Sequence, residues 1–145
     1  MNRQDAIDFY EKAVSRGKKY YHACISRGED PYPKVLDELI KVTDVRTVPI
    51  GIIEIPVNRI IGTYNSGRKD VFAGNFMPLI SDYKSELGKK WLDLCEYHME
   101  GSGITDPIQC YEYLGDFYVR EGNKRVSMLK FFDPTEITGN VTRLI

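Results

Sequence analysis

The stretch Phe117–Phe132 constrains the fold of this chain more than any other. It reads Phe-Tyr-Val-Arg-Glu-Gly-Asn-Lys-Arg-Val-Ser-Met-Leu-Lys-Phe-Phe. Tyr118 and Val119 favour a strand. Gly122 supplies the backbone freedom that a tight turn at Glu121-Gly122-Asn123 demands. A helix is expected from near Lys124, with Asn123 as its N-cap, because an Asn side-chain oxygen accepts an orphan N–H of the first turn. Val126, Leu129 and Phe132 recur at helical spacing and give that helix a buried face. Lys124 and Arg125 fall in the first turn, where the helix dipole is already positive and cations are misplaced. An anion held by the free N–H groups and both side chains would account for them. The alternative is a plain strand-turn-helix whose exposed first-turn cations cost only about 0.3–1 kcal/mol each.

The flanking segments add an order of elements. Gly51–Ile61, Gly-Ile-Ile-Glu-Ile-Pro-Val-Asn-Arg-Ile-Ile, reads as a strand, a turn and a short apolar segment. A polar loop follows at Tyr64-Asn-Ser-Gly-Arg-Lys-Asp70. An amphipathic helix is expected over Ser85–Met99, with Leu87, Trp91, Leu94, Cys95 and His98 on one face. After Gly101-Ser-Gly103 comes a strand within Ile104–Tyr113, then a hairpin turn at Gly115-Asp116 into the Phe117–Val119 strand. A last strand is expected over Gly139–Ile145. The apolar stretch Val71–Leu79 reads as core, or as a cover for a pocket mouth.

The N-terminal region is a separate element, residues 1–45, ahead of a main domain over 46–145. Ile7, Tyr10, Val14, Gly17, Tyr21 and Cys24 make a helical stripe across roughly Gln4–Arg27. Gly17 inside it points to a kink or to close packing. Gly28-Glu-Asp-Pro-Tyr-Pro33 ends that helix, and a second helix is expected over Lys34–Val42, burying Val35, Leu36 and Leu39. Such a helical hairpin is too small for a core of its own. It reads as a brace on the main domain, or as a surface for a homodimer or protein partner.

Composition excludes several classes. A net charge of −1 over 145 residues argues against a broadly basic nucleic-acid binder. Three cysteines, Cys24, Cys95 and Cys110, without paired spacing read neither as a disulfide framework nor as a metal site. His22 and His98 have no ligating partners at spacing that suits both. No apolar run spans a bilayer and no signal-peptide pattern opens the chain, so no membrane is expected and the cytoplasm is the expected location. Most of the ten tyrosines sit at core-like positions rather than as base-stacking platforms. Tyr64, in the polar loop, is the exception.

The order of these elements resembles the ParB N-terminal domain and its relatives, the ParB/sulfiredoxin-like fold. The family's Pro-Ile pair opening a strand after a helix is similar to Asp106-Pro107-Ile108, and its phosphate-binding Gly-x-x-Arg turn is similar to Gly122-Asn123-Lys124-Arg125. The resemblance covers about Pro49 to Ile145. It implies a small mixed-sheet α/β domain. It also implies a nucleotide- or phosphate-binding module, acting as a regulatory or partner-binding switch, with ATP or CTP as ligand, with or without magnesium. The implied phosphate contacts are Gly122, Asn123, Lys124 and Arg125, with Arg68 of the polar loop as a further contact and Lys69 a lesser one. Sulfiredoxins carry a cysteine in this turn where Asn123 stands, so their thiol chemistry is not implied. ParB proteins usually carry Gly-Glu-Arg-Arg, so the missing acid puts metal-assisted hydrolysis in doubt. Glu121 stands two positions before the place of that acid. DNA association is a family trait. No helix-turn-helix pattern follows the last strand, so sequence-specific DNA binding is not implied.

Two other readings stay open. One is a nucleotide-dependent enzyme of the same fold, an NTP hydrolase, small-molecule kinase or nuclease, for which the available acids are Glu54, Asp70, Glu112 and Glu121. The other is a scaffold without ligand. No catalytic residue is assigned.

Overall fold

A computed structural model describes residues 2–101 and 106–145, with the side chains of residues 68 and 69 outside that description. The first helix, α1, spans Arg3–Ser26. It opens on a capping box: the Asn2 side chain accepts from the Asp5 N–H at 3.0 Å, and the Asp5 carboxylate accepts from the Asn2 N–H at 3.2 Å. Gly17 lies mid-helix because the chain passes tightly there. A Cβ at that position would sit 2.5 Å from the Pro78 carbonyl oxygen.

The expected second helix does not form. Lys34–Val35 is a short strand, β1, followed by 3-10 turns at Leu36–Glu38 and Val42–Asp44. The N-terminal region is thus a helix and an irregular segment, not a helical hairpin. Val35 and Leu36 are buried as expected, but Leu39 is 55% exposed. Tertiary pairing outweighs helical spacing here. The Lys34 carbonyl packs so closely on Gly62 that a Cβ there would collide with it.

The remaining strands are β2 (Thr47–Pro56), β3 (Ile60–Thr63), β4 (Ile108–Tyr113), β5 (Asp116–Glu121) and β6 (Glu136–Leu144). Two further helices are α2 (Glu86–Met99) and α3 (Asn123–Phe131). The sheet is mixed, in the order β1-β3-β5-β4-β6-β2. β1, β3 and β5 run parallel, β4 is antiparallel to β5 and parallel to β6, and β2 closes the far edge antiparallel to β6. The protein therefore has the α/β mixed-sheet architecture expected from its sequence. The β4–β5 hairpin turns one residue earlier than expected, at Leu114-Gly115, with φ of 52° and 85°. Two positive φ angles suit a two-residue turn whose twist matches that of the strands.

Both faces of the sheet are covered. Ile108, Cys110, Phe117, Val119 and Val141 face one side, against Val126 of α3 and Phe76. Tyr111, Tyr118 and Leu144 face the other, under Leu36 and the 36–45 segment. The stretch Val71–Leu79 is core, with Phe72, Ala73, Phe76 and Met77 all buried. A third cluster joins the three helices: Ala6, Tyr10, Ala13 and Val14 of α1 meet Trp91, Leu92 and Cys95 of α2, and Met128 and Phe131 of α3. The apolar stripe of α1 is taken up by the chain's own core. None of the described helices is long and apolar enough to cross a membrane.

One buried polar pair crosses this cluster. Trp91 Nε1 donates to Ser127 Oγ at 3.1 Å, with both residues 0% exposed. A buried indole N–H left without an acceptor carries its full desolvation penalty. Ser127→Ala is therefore expected to lower stability in urea unfolding by about 1–3 kcal/mol, although it removes a single oxygen atom. Trp91→Phe/Ser127→Ala together should cost less than the sum of the two single changes.

Candidate anion-binding site

The strand-to-helix junction sits where the sequence indicates, but its cap is different. Gly122, with φ 110° and ψ 21°, is the N-cap of α3, and Asn123 is already helical. A Cβ at Gly122 would lie 2.8 Å from Ile108 Cγ2 and 3.2 Å from Arg125 Nη2. Glycine is thus required twice, by its left-handed backbone and by the space that Ile108 and Arg125 fill. Asn123 does not cap the helix. Its Nδ2 donates to Thr63 Oγ1 of β3 at 3.2 Å, and its Oδ1 is buried without a partner. Thr63 in turn donates to the Val119 carbonyl at 3.3 Å. Turning the amide over would only exchange which of its two polar atoms is unpaired.

Among the described residues no side chain caps the first turn of α3. Its leading N–H groups have no intrahelical acceptor, as at every helix start. They border a cleft of about 630 Å³ that includes Gly122, Asn123, Lys124 and Arg125 in its lining. The cleft lies at the C-terminal ends of the parallel strands β3 and β5, the usual position for a ligand on such strands. Its other wall is one face of α2, where Lys90, Leu94 and Tyr97 recur at helical spacing. Tyr97 is 49% exposed.

Charge in the cleft runs against the charge of the whole chain. Among the described residues four cations line it, Lys90, Arg120, Lys124 and Arg125, against two carboxylates, Asp106 and Glu121. Three of the cations have neighbours. Lys124 Nζ lies 3.2 Å from Glu86 Oε1, a pair whose carboxylate side chain is 81% exposed and which contributes little. Arg125 Nη1 donates to the Asp106 carbonyl at 2.7 Å. The Arg120 guanidinium stacks 4.5 Å from the centroid of Tyr111.

The four turn residues named from the sequence therefore come together in one cleft. Arg68 belongs by backbone to a 3-10 turn, Ser66–Val71, and its side chain, like that of Lys69, lies outside the described residues. Asn65, just before that turn, lines the cleft. Of the four candidate acids only Glu121 does so. Glu54 accepts from Thr138 Oγ1 at 2.6 Å on the β2–β6 pair, and Glu112 is ion-paired with Arg143. Sequence reading missed Lys90, Tyr97 and Arg120. The helical spacing of Lys90, Leu94 and Tyr97 was the available signal, since it puts a cation and an exposed aromatic on one stripe.

The cysteines and histidines stand apart from the cleft. Burial pushes the Cys95 thiol up to about 11 and the Cys110 thiol up to about 12, so both stay protonated near neutral pH. His98 packs against Phe132 with ring centroids 5.3 Å apart. Among the described residues no three His, Cys, Asp or Glu side chains converge as a metal site.

Gly122→Ala is expected to cost about 1–3 kcal/mol in chemical denaturation, from the left-handed backbone and the contact with Ile108. Asn123→Ala removes one hydrogen bond together with one orphaned buried atom, so its net effect should stay within about 1 kcal/mol. A larger loss would show that the bond to Thr63 outweighs the orphaned oxygen. No family model, curated protein or solved structure matches this chain.

Proposed function

We propose that the chain is a phosphate-binding module of the ParB-like kind, with a nucleotide as ligand, acting as a regulatory or partner-binding switch. The observation that carries this reading is the uncapped first turn of α3 opening onto a cleft with four cations. Unpaired helix-start N–H groups and a positive dipole end favour an anion. The volume lies within the range of small-molecule sites. In this reading the N–H groups after Gly122 donate to phosphate oxygens, and Lys124 and Lys90 add point charge. Arg125 contributes its remaining N–H groups while one stays on the Asp106 carbonyl. Tyr97 supplies a ring face on which a base stacks. ATP and CTP both fit this chemistry. Where magnesium accompanies the phosphates, Asp106 and Glu121 are the carboxylates of this cleft that would meet it. The link from Arg125 to Asp106 ties ligand occupancy to the segment entering β4, and that link is the basis of a switch.

Glu121 also supports a second reading, in which it orients an attacking water and the nucleotide is hydrolysed. Product analysis with and without magnesium separates the two.

Calorimetric titration with ATP, CTP and GTP tests the proposal. Saturable binding is expected, and Lys124→Ala and Arg125→Ala should each weaken it by roughly one to two decades, the worth of one charge-assisted contact of about 1.5–3 kcal/mol. Binding that survives both substitutions, or no binding at millimolar nucleotide, would leave the scaffold reading in its place.

A further inference from the structure

The other end of α3 borders a second cleft, of about 300 Å³, lined among others by Arg16, Asn58, Asn75, Lys130 and Asp133. Lys130 is its unusual member. Its Nζ donates to the Ile60 carbonyl at 2.8 Å and lies 4.7 Å from the centroid of Phe76. Phe76 is fully buried and holds a φ of 66°. A bulky residue in that region is strained, and such strain persists only where surrounding structure imposes it. The chain thus spends conformational energy at the residue whose ring lies beneath the Lys130 amine. Desolvation lowers the ammonium from its ordinary 10.5 to about 8. Near neutral pH roughly a tenth of the molecules then carry the free amine. With one N–H on the Ile60 carbonyl, the lone pair of that amine is left for an electrophile. Buried lysines of this kind serve as Schiff-base nucleophiles.

The rest of the cleft describes what the electrophile would carry. Arg16 is pinned, with Nη1 donating to the Phe131 carbonyl at 3.1 Å and its guanidinium 4.4 Å from the Phe131 centroid, which leaves its other N–H groups for a ligand. Asn75 Oδ1 accepts from the Met77 N–H at 3.1 Å, so its amide nitrogen remains a donor. These donors suit a carboxylate, and the volume sits at the small end of ligand sites.

We propose that this cleft captures a small oxo acid, a carbonyl compound bearing a carboxylate, as a Schiff base on Lys130. The neutral Nζ attacks the carbonyl carbon and a C–N bond forms as the C–O π pair moves to oxygen. That oxygen takes one proton as the nitrogen loses one, giving a carbinolamine. The hydroxyl then takes a second proton and leaves as water while the nitrogen lone pair closes the C=N bond and the nitrogen loses its second proton. Amine and carbonyl become imine and one water, with no net oxidation or reduction. Asp133 is the carboxylate lining this cleft and is the group available to pass these protons.

Reductive trapping tests this. The whole protein is incubated with glyoxylate and cyanoborohydride near neutral pH, and adducts are mapped by peptide mass spectrometry. Among the lysines, the carboxymethyl adduct is expected at Lys130, formed about tenfold or more faster than at exposed lysines such as Lys12 and Lys18, in line with the larger free-amine fraction of Lys130. The neutral aldehyde glycolaldehyde should label Lys130 more slowly, and Arg16→Gln should erase that preference while Lys130 remains labelled. Lys130→Arg, which keeps a cation above Phe76, should lose the adduct. Labelling spread over exposed lysines, with Lys130 no faster than they are, overturns the proposal. That site map needs only the unaltered protein. Equal rates for glyoxylate and glycolaldehyde overturn the assignment of a carboxylate-bearing ligand.

Discussion

The hydrogen bond from Trp91 to Ser127 ties α2 to α3 at the centre of the helical cluster. Among the described residues it is the one side-chain to side-chain hydrogen bond between buried members of the helical cluster, where the alternative for the indole N–H is an unpaired donor in an apolar core. It therefore fixes the depth and rotation of α2 against α3 more sharply than apolar contact alone could. The Trp91 ring also takes Tyr10 of α1 and Phe131 of α3 edge-on, with centroids 5.3 and 5.7 Å away, so all three helices are keyed to one side chain. Lys90 precedes Trp91, and Lys124 lies one turn before Ser127. The two helices that this bond joins are the ones that supply Lys90 and Lys124 to the cleft.

α3 presents two different environments at its two ends. At its start stand Lys124 and Arg125, where fold stability alone would favour acids. At its end stands Lys130, where a cation suits the dipole but burial strips the amine of water. Neither arrangement helps α3 form. Its stability comes instead from Val126, Ser127, Met128 and Phe131, all buried. The buried middle holds the helix while its ends carry cations that do not stabilise it. Gly122 completes the arrangement by turning the chain from β5 into α3 within a single residue.

Local signals carried much of this into the sequence. The strand-turn-helix at Phe117–Phe132 was legible because β-formers, a glycine and helical spacing follow one another without conflict. α2 was legible to within a residue, with Ser85 as its N-cap accepting from the Gly88 N–H at 3.0 Å. Readings that depended on distant partners failed. Asn123 looked like a cap until Thr63, sixty residues away, claimed its side chain. Lys34–Val42 looked helical until β3 and the second sheet face claimed Val35 and Leu36. Lys130 carried no signal, because its burial beside Phe76 and the Ile60 carbonyl is made by the fold.

In the proposed function, the N–H groups of Asn123, Lys124 and Arg125 are the acceptor-seeking floor of an anion site. Amide chemical shifts recorded while inorganic triphosphate is titrated in test it most directly. The account predicts saturable shifts concentrated at residues 123–125, with smaller ones at Lys90 and Asn65. Shifts scattered over exposed lysines, with those three amides unmoved, would contradict it.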